Sequence, residues 1–417
     1  MHNKAENTFL RRTRIASLIT ALITLYVFGY YFRPTALTYT PFASVLPYWG
    51  YSVVFILCLF AIVKRHPPSL VTMAIFGYYA IYMFCTALNG GDFVSVAMDG
   101  LKVSLIVYYA QYIIEVRTQR LFRVVLPLLV VLVLIDFATI VLFPGGLFQQ
   151  TSYQNEYFSS VMPGWLLGIK NNRILWLFSL VILSCIAALR NSQGKKALDF
   201  RTLFLGLVSV MCVVLVQSST STVVLVVFLA VLFFAPALKH FSGMVNSATA
   251  VAVSAGTWFV VVILSNTDFL GPFLQTAFGK DTTFSGRSEI WAQAQQFILQ
   301  SPVFGYGFES MMDKVIKYGN VSFVNAHNQL LEVSYDGGIL LLTVFLAILG
   351  LVAVSLYRNR GSVTGVVGSL AFFLLSIEML QEVLIENPIF WFIILLLYYM
   401  PHLVIEPFTS REDYDGK

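Results

Sequence analysis

The chain has 417 residues, of which 58% are apolar and only 11% charged, with a net charge of +5. Ordinary soluble domains carry roughly 25% charged residues, so a water-soluble globular protein is excluded. The basic residues are spread among short polar segments rather than clustered, which argues against a nucleic-acid surface. Apolar runs near the ~20 residues needed to cross a bilayer recur along the chain. Runs such as 126–134 lack the alternation of a membrane β-barrel strand.

Arg11, Arg12 and Arg14 precede a first apolar run too long for the core of a cleavable signal. Spans are predicted at about 15–33, 45–63, 69–88, 101–116, 121–143, 173–189, 202–217, 222–238, 248–265, 339–357, 362–380 and 389–404. With the N-terminus cytoplasmic, 18 of the 26 Lys and Arg residues fall inside and 8 outside. Every even-numbered span from the second to the tenth then ends at basic residues, as the positive-inside rule requires. The expectation is an all-α, polytopic helical bundle of about twelve transmembrane helices. It forms a single membrane domain over 1–417 with both termini cytoplasmic. Cys58, Cys85, Cys185 and Cys212 lie in apolar runs without metal-ligand spacing and read as core filler.

Within the fifth span, Asp136 is costly unless paired or facing a wet cavity. It marks either a proton path or, the favoured reading, a buried contact that fixes packing. Lys170 and Arg173 open the sixth span on the outer side, where cations are the minority. They hold a diphosphate there or anchor the span to lipid headgroups.

The segment 266–338 is far longer than ordinary connections, and long loops carry function or disorder. Ile290, Trp291, Ala294, Phe297 and Ile298 recur at helical spacing, giving an apolar face for the membrane surface or the bundle. Pro302 stops that helix, and Gly305 and Gly307 permit a tight turn. A second short helix is predicted over 325–335, capped by Asn325 and broken by Gly337 and Gly338. Beyond it, Glu378, Glu382 and Glu386 are spaced to share one helical face, where they orient a sugar or a catalytic base, or simply solvate a helix end.

Two residues of the loop are suited to chemistry. Arg287 sits where the Gln-rich helix begins, and its planar fork matches phosphate; alternatively it pairs with Glu289 or Asp281. Of the five histidines, His327 is the only one on the outer side. A neutral imidazole there accepts a proton from a hydroxyl, or makes a structural hydrogen bond. No second His or Cys lies within metal-ligand spacing in the sequence, so no metal site is expected. Neither a Walker A loop, a dinucleotide turn, an Asp-x-Asp pair nor a nucleophile elbow is present, which argues against nucleotide-driven transport and metal-dependent transfer from nucleotide sugars.

Taken in order, Ser285-Gly286-Arg287-Ser288-Glu289-Ile290-Trp291, Ser301-Pro302-Val303-Phe304-Gly305-Tyr306-Gly307 and Ala326-His327-Asn328-Gln329-Leu330-Leu331-Glu332 resemble the O-antigen ligase and polymerase superfamily. The resemblance extends to Lys170-Asn171 and to the Ser-rich turn Gln217-Ser218-Ser219-Thr220-Ser221, and covers about 160–350. It implies a GT-C-like membrane glycosyltransferase without metal or other cofactor, using glycans carried on undecaprenyl diphosphate at the outer face of the bacterial plasma membrane. Arg287 would bind the diphosphate and His327 would activate or orient the acceptor hydroxyl, as catalytic residues. Lys170 and Arg173 would add to the diphosphate site, and Asn328 and Tyr306 would contact the glycan. Many members carry Arg or Lys about where Ser219 stands here, which makes Lys170 or Arg173 the expected substitutes. The loop motifs do not separate a polymerase from a ligase; Gly305-Tyr306-Gly307 with His327-Asn328-Gln329 looks closer to capsule and exopolysaccharide polymerases. A chain-length regulator is left open as a partner alongside membrane lipids. A lipid-linked oligosaccharide flippase is the alternative from another class, resting on Asp136.

Overall fold

A computed structural model describes residues 2–155, 158–263, 287–310, 312–314 and 325–405. Of the residues named above, Asp281, Ser285 and Gly286 lie outside the described residues, as do four of the counted cations, Lys280, Lys317, Arg411 and Lys417. The helices that follow one another are α1 (His2–Tyr31), α2 (Leu46–Lys64), α3 (Leu70–Leu88), α4 (Phe93–Val116), α5 (Leu126–Leu142), α6 (Ile174–Asn191), α7 (Phe200–Leu215), α8 (Ser219–Leu238), α9 (Ser247–Trp258), α10 (Arg287–Gln300), α11 (Gln329–Arg358), α12 (Val363–Gln381) and α13 (Pro388–Ile405). The protein is an all-α polytopic membrane protein.

Among the described residues, eight helical segments are long and apolar enough to cross a membrane: α2, α3, α4, Thr118–Leu142, α6, Ser219–Phe241, α11 and α12. Shorter apolar helices, Ala16–Tyr31, Phe200–Leu215, Ser247–Ile263 and Pro388–Val404, occupy the four remaining predicted spans. One element has no counterpart in the sequence analysis. An antiparallel hairpin pairs β1 (Phe148–Asn155) with β2 (Phe158–Gly164) between α5 and α6.

The helix boundaries follow from local chemistry. Ser69, Asp92, Asp199, Asn246 and Ser362 each cap a helix start by accepting a backbone N–H in the first turn. α6 is apolar on every side and is buried along its whole length among α13, α7 and α5, as an all-round apolar helix must be. The main core is a cluster of Leu, Ile, Val and aromatic side chains that runs through most helices from α1 to α13, and a smaller cluster gathers around Trp291 of α10.

The connections gather at two opposite ends of the bundle. At one end the exit of α1 is tied to the turn before α6: Ala36 N–H donates to Leu166 O (3.0 Å) and Thr35 Oγ1 to Leu167 O (3.1 Å). In the same layer, Phe308 N–H donates to Thr86 Oγ1 at the end of α3 (3.0 Å), and Leu384 N–H to Gln329 Oε1 at the start of α11 (2.8 Å). At the far end, Glu115 near the close of α4 joins His66 and the Tyr399 hydroxyl of α13. Long segments and the site residues therefore share the first end.

Asp136 is resolved in favour of packing. It is fully buried, accepts from Arg173 Nη1 (2.9 Å) and from Leu167 N–H (2.9 Å), and Arg173 in turn donates to Gly168 O (2.8 Å). This ion pair locks α5 to the turn that launches α6.

Candidate active site

α10 is held by its apolar face. Trp291 and Ala294 are fully buried against Val262, Leu331, Tyr335, Ala326 and Leu380, so the face predicted from spacing packs on the bundle and not on the membrane surface. That docking presents Arg287, the first helical residue, to the end of α12. Its Nη1 donates to Gln381 Oε1 (2.6 Å) and its Nη2 to Glu382 Oε1 (2.8 Å). The expected partner Glu289 is exposed on the other side of the helix start. Glu382 Oε1 also accepts from Asn171 Nδ2 (2.7 Å), and Asn171 Oδ1 accepts from Ser218 Oγ (3.2 Å). One carboxylate thus joins three segments separated by up to 211 residues.

His327 occupies a tight turn just before α11, with φ +45°. Asn325 Oδ1 accepts from His327 N–H (2.9 Å), so Asn325 shapes this turn instead of capping the helix. The cap is Asn328, whose Oδ1 accepts from Leu330 N–H and Leu331 N–H (both 3.1 Å) and from Trp258 Nε1 (3.1 Å). Glu332 closes the turn from behind: Oε2 accepts from Ala326 N–H (2.6 Å) and Oε1 from Lys314 Nζ (2.9 Å). Burial holds the His327 imidazole below its usual value of 6.5, and Arg287 lowers it further against the opposing pull of Glu382 and Glu332. The ring is therefore neutral at pH 7.

Gly337 and Gly338 interrupt α11 as expected. Gly338 has φ +57°, and a Cβ there would collide with the Val303 backbone. The glycine turn of 305–307 lies against the same place: Tyr306 N–H donates to Tyr335 O (2.9 Å) and Gly307 N–H to Asp336 O (2.8 Å).

Two adjoining cavities open at this end. The larger, about 540 Å³, is lined by Tyr30, Tyr31, Tyr78, Tyr79 and Tyr82 together with Asp99, Glu309, Glu332, Asp336, Glu386, Lys102, Lys314 and Arg33. The smaller, about 340 Å³, is lined by Thr35, Thr38, Asn171, Asn172, Glu382 and Asn387, and shares Tyr31, Arg33, Val383, Glu386 and Pro388 with the first. Lys314 is buried, which alone would lower its pKa, but the Glu332 and Asp336 carboxylates outweigh this and hold it charged. Burial pushes the Glu386 carboxyl up, and Glu332 adds to the shift. The wall between the cavities is thus polar, aromatic and mixed in charge, a surface suited to a sugar with an anionic group beside it.

The family model described as O-antigen ligase matches residues 158–346. Over these residues, somewhat less than half of the chain, the sequence is similar to that family. None of the curated proteins matches it.

Arg287 pairs with Glu382, and both lie within electrostatic reach of the His327 imidazole. The other four expected site residues do not join them. Arg173 is fully buried in its pair with Asp136 and stacks on Trp165, so its guanidinium is spent on packing. Lys170 is exposed and lines neither cavity. Asn328 is fully buried, with Nδ2 donating to Leu380 O (3.0 Å) and Oδ1 capping α11, and it lines neither cavity. Tyr306 stacks on Tyr335 and donates to Phe297 O (3.0 Å), holding the glycine turn on α10.

The carboxylates also differ from expectation. Only Glu378 is helical; Glu382 caps α12 with extended backbone, and Glu386 lies in the connector to α13. Sequence reasoning did not single out Arg33, Lys314 or Glu332. Arg33 and Lys314 appear in the sequence only as outer-side cations, and Glu332 as the last residue of the histidine motif.

Proposed function

We propose that the protein is a glycosyltransferase that polymerises undecaprenyl-diphosphate-linked repeat units at the outer face of the bacterial plasma membrane. The observation that carries this reading is the meeting of Arg287, Glu382 and Asn171 beside a neutral His327, next to two cavities large enough for sugar units. The orientation follows from the distribution of Lys and Arg, with both termini cytoplasmic.

In the proposed reaction His327 takes the proton of the acceptor hydroxyl. The acceptor oxygen attacks the anomeric carbon, the bond to the diphosphate oxygen breaks, and the electron pair leaves on the diphosphate. Arg287, held by Gln381 and Glu382, stabilises that charge. The sugar diphosphate is itself activated, so the step draws on neither a nucleotide nor a metal. Attack opposite the leaving group inverts the anomeric carbon, and a product with retained configuration would rule this geometry out.

The second reading is a ligase that transfers the glycan to lipid A-core or another terminal acceptor, favoured by the description of the matching family. The flippase alternative loses support, because Asp136 is paired with Arg173 and lines neither of the two cavities. Deleting the chromosomal copy and resolving glycans by length separates the two. A polymerase leaves single repeat units where long chains were; a ligase leaves full-length chains on the lipid carrier. Unchanged glycans would refute both.

A further inference from the structure

The site needs a cation to meet the phosphates inside the cavities, and most of the outer cations are engaged elsewhere. Arg173 is buried with Asp136, Lys314 is bound to Glu332, and Lys102 donates to Asp99 (2.9 Å). Arg287, placed on the leaving diphosphate in the proposed reaction, adjoins the smaller cavity through its partner Glu382 but lines neither cavity itself, so a second cation is needed within.

Arg33 differs from all of these. It lies on the wall shared by both cavities and has no carboxylate partner among the described residues. Nη1 donates to Tyr30 O (3.1 Å), and the guanidinium lies 4.5 Å over the Tyr30 ring. A guanidinium carries five donors, so most of its hydrogen-bonding capacity is left for a ligand. The position is preorganised. Pro34 follows directly, and the next two residues are hydrogen-bonded to Leu166 and Leu167, so the backbone that carries Arg33 is anchored to the turn before α6, while Tyr30 holds the guanidinium. Thr35, Thr38, Asn171 and Asn172 add polar groups to the same smaller cavity.

We propose that Arg33 binds the phosphate-bearing end of the substrate where the two cavities meet, the diphosphate entering the smaller cavity and the sugar the larger. This rests on the reading of the donor as a polyprenyl diphosphate. Arg33 is then a substrate-binding residue, and its loss weakens donor binding more than it slows the bound complex.

The test uses the full-length protein in nanodiscs of zwitterionic lipid, titrated with geranylgeranyl diphosphate and, separately, with geranylgeraniol. The wild type should prefer the diphosphate. Arg33→Ala should weaken diphosphate binding about tenfold or more and leave the alcohol unchanged, which also shows that the variant is folded. Arg33→Lys should recover part of the loss, since the charge returns without the fork. If wild type prefers the diphosphate and Arg33→Ala keeps that preference in full, the assignment of Arg33 is overturned and the proposed function stands. If wild type binds both probes alike, the donor reading itself fails and takes this inference with it. Adding phosphatidylglycerol to the nanodiscs distinguishes the remaining source of phosphate: equal displacement of the probe by that lipid would assign Arg33 to headgroups and overturn the proposal.

Discussion

At the scale of single residues, the chemistry turns on a histidine kept neutral by burial and an arginine held by two oxygens. Because the His327 pKa is lowered, the basic form persists below pH 6.5 and is lost only as pH falls further. Transfer should therefore show an acid limb whose midpoint lies below the ordinary histidine value. His327→Ala should lower the rate by about 10²-fold or more and abolish that limb. A midpoint above 6.5 would contradict the electrostatic account. Arg287→Lys should restore little of the activity lost in Arg287→Ala at equal membrane levels, because an ammonium cannot reach Gln381 and Glu382 together. Both residues were legible in the sequence because each sits in a short, ordered motif. The grip of Glu332 on Lys314 and Ala326 was not, since spacing alone does not say which way a turn folds back. Arg173 was read as a ligand for phosphate when its partner, Asp136, lies 37 positions away on another helix.

Secondary-structure elements carry the next level of the argument. The ion pair between α5 and the start of α6 is fully buried, so breaking it from one side should cost about 3–5 kcal/mol. Asp136→Ala should lower the thermal unfolding midpoint sharply in detergent. The paired replacement Asp136→Leu with Arg173→Met should recover most of the loss and retain activity. An Asp136→Asn protein that is stable yet inactive would instead give this carboxylate a proton-transfer role. The break in α11 offers a second test. Gly338→Ala places a Cβ on the Val303 backbone at φ +57°, and should cost more than about 1 kcal/mol. Gly350, in the same helix, has open space where a Cβ would stand, so Gly350→Ala should be neutral or slightly stabilising. The apolar period of α10 and the glycine break were readable because each follows from local geometry. The hairpin of 148–164 was not; its pairing is set by register with a partner strand, and its residues show no apolar alternation against a solvated face.

Across the whole molecule, hydropathy places most apolar helices to within a few residues; the fourth starts eight residues earlier, at Phe93, where Asp92 caps it, and the tenth span continues across the Gly337–Gly338 kink from Gln329. What hydropathy does not contain is which helix ends share a layer. That arrangement comes from long-range hydrogen bonds such as Asn171 to Glu382 and Thr35 to Leu167. The proposed orientation puts this layer outside the cell. In a protein with Cys58 replaced, Lys170→Cys should react with a membrane-impermeant maleimide in intact cells stripped of outer envelope, and Lys195→Cys only after permeabilisation. The reverse pattern would invert the bundle and remove the site from its substrate. The central claim is tested most directly with purified protein and lipid-linked glycan extracted from cells lacking the gene. Incubation without nucleotide sugar should convert single repeat units into a ladder of longer chains still carried on the lipid diphosphate, and the Arg287→Ala protein should leave them unchanged. Wild-type protein that leaves the extracted glycan at its original length, with no acceptor but itself present, would contradict the polymerase account.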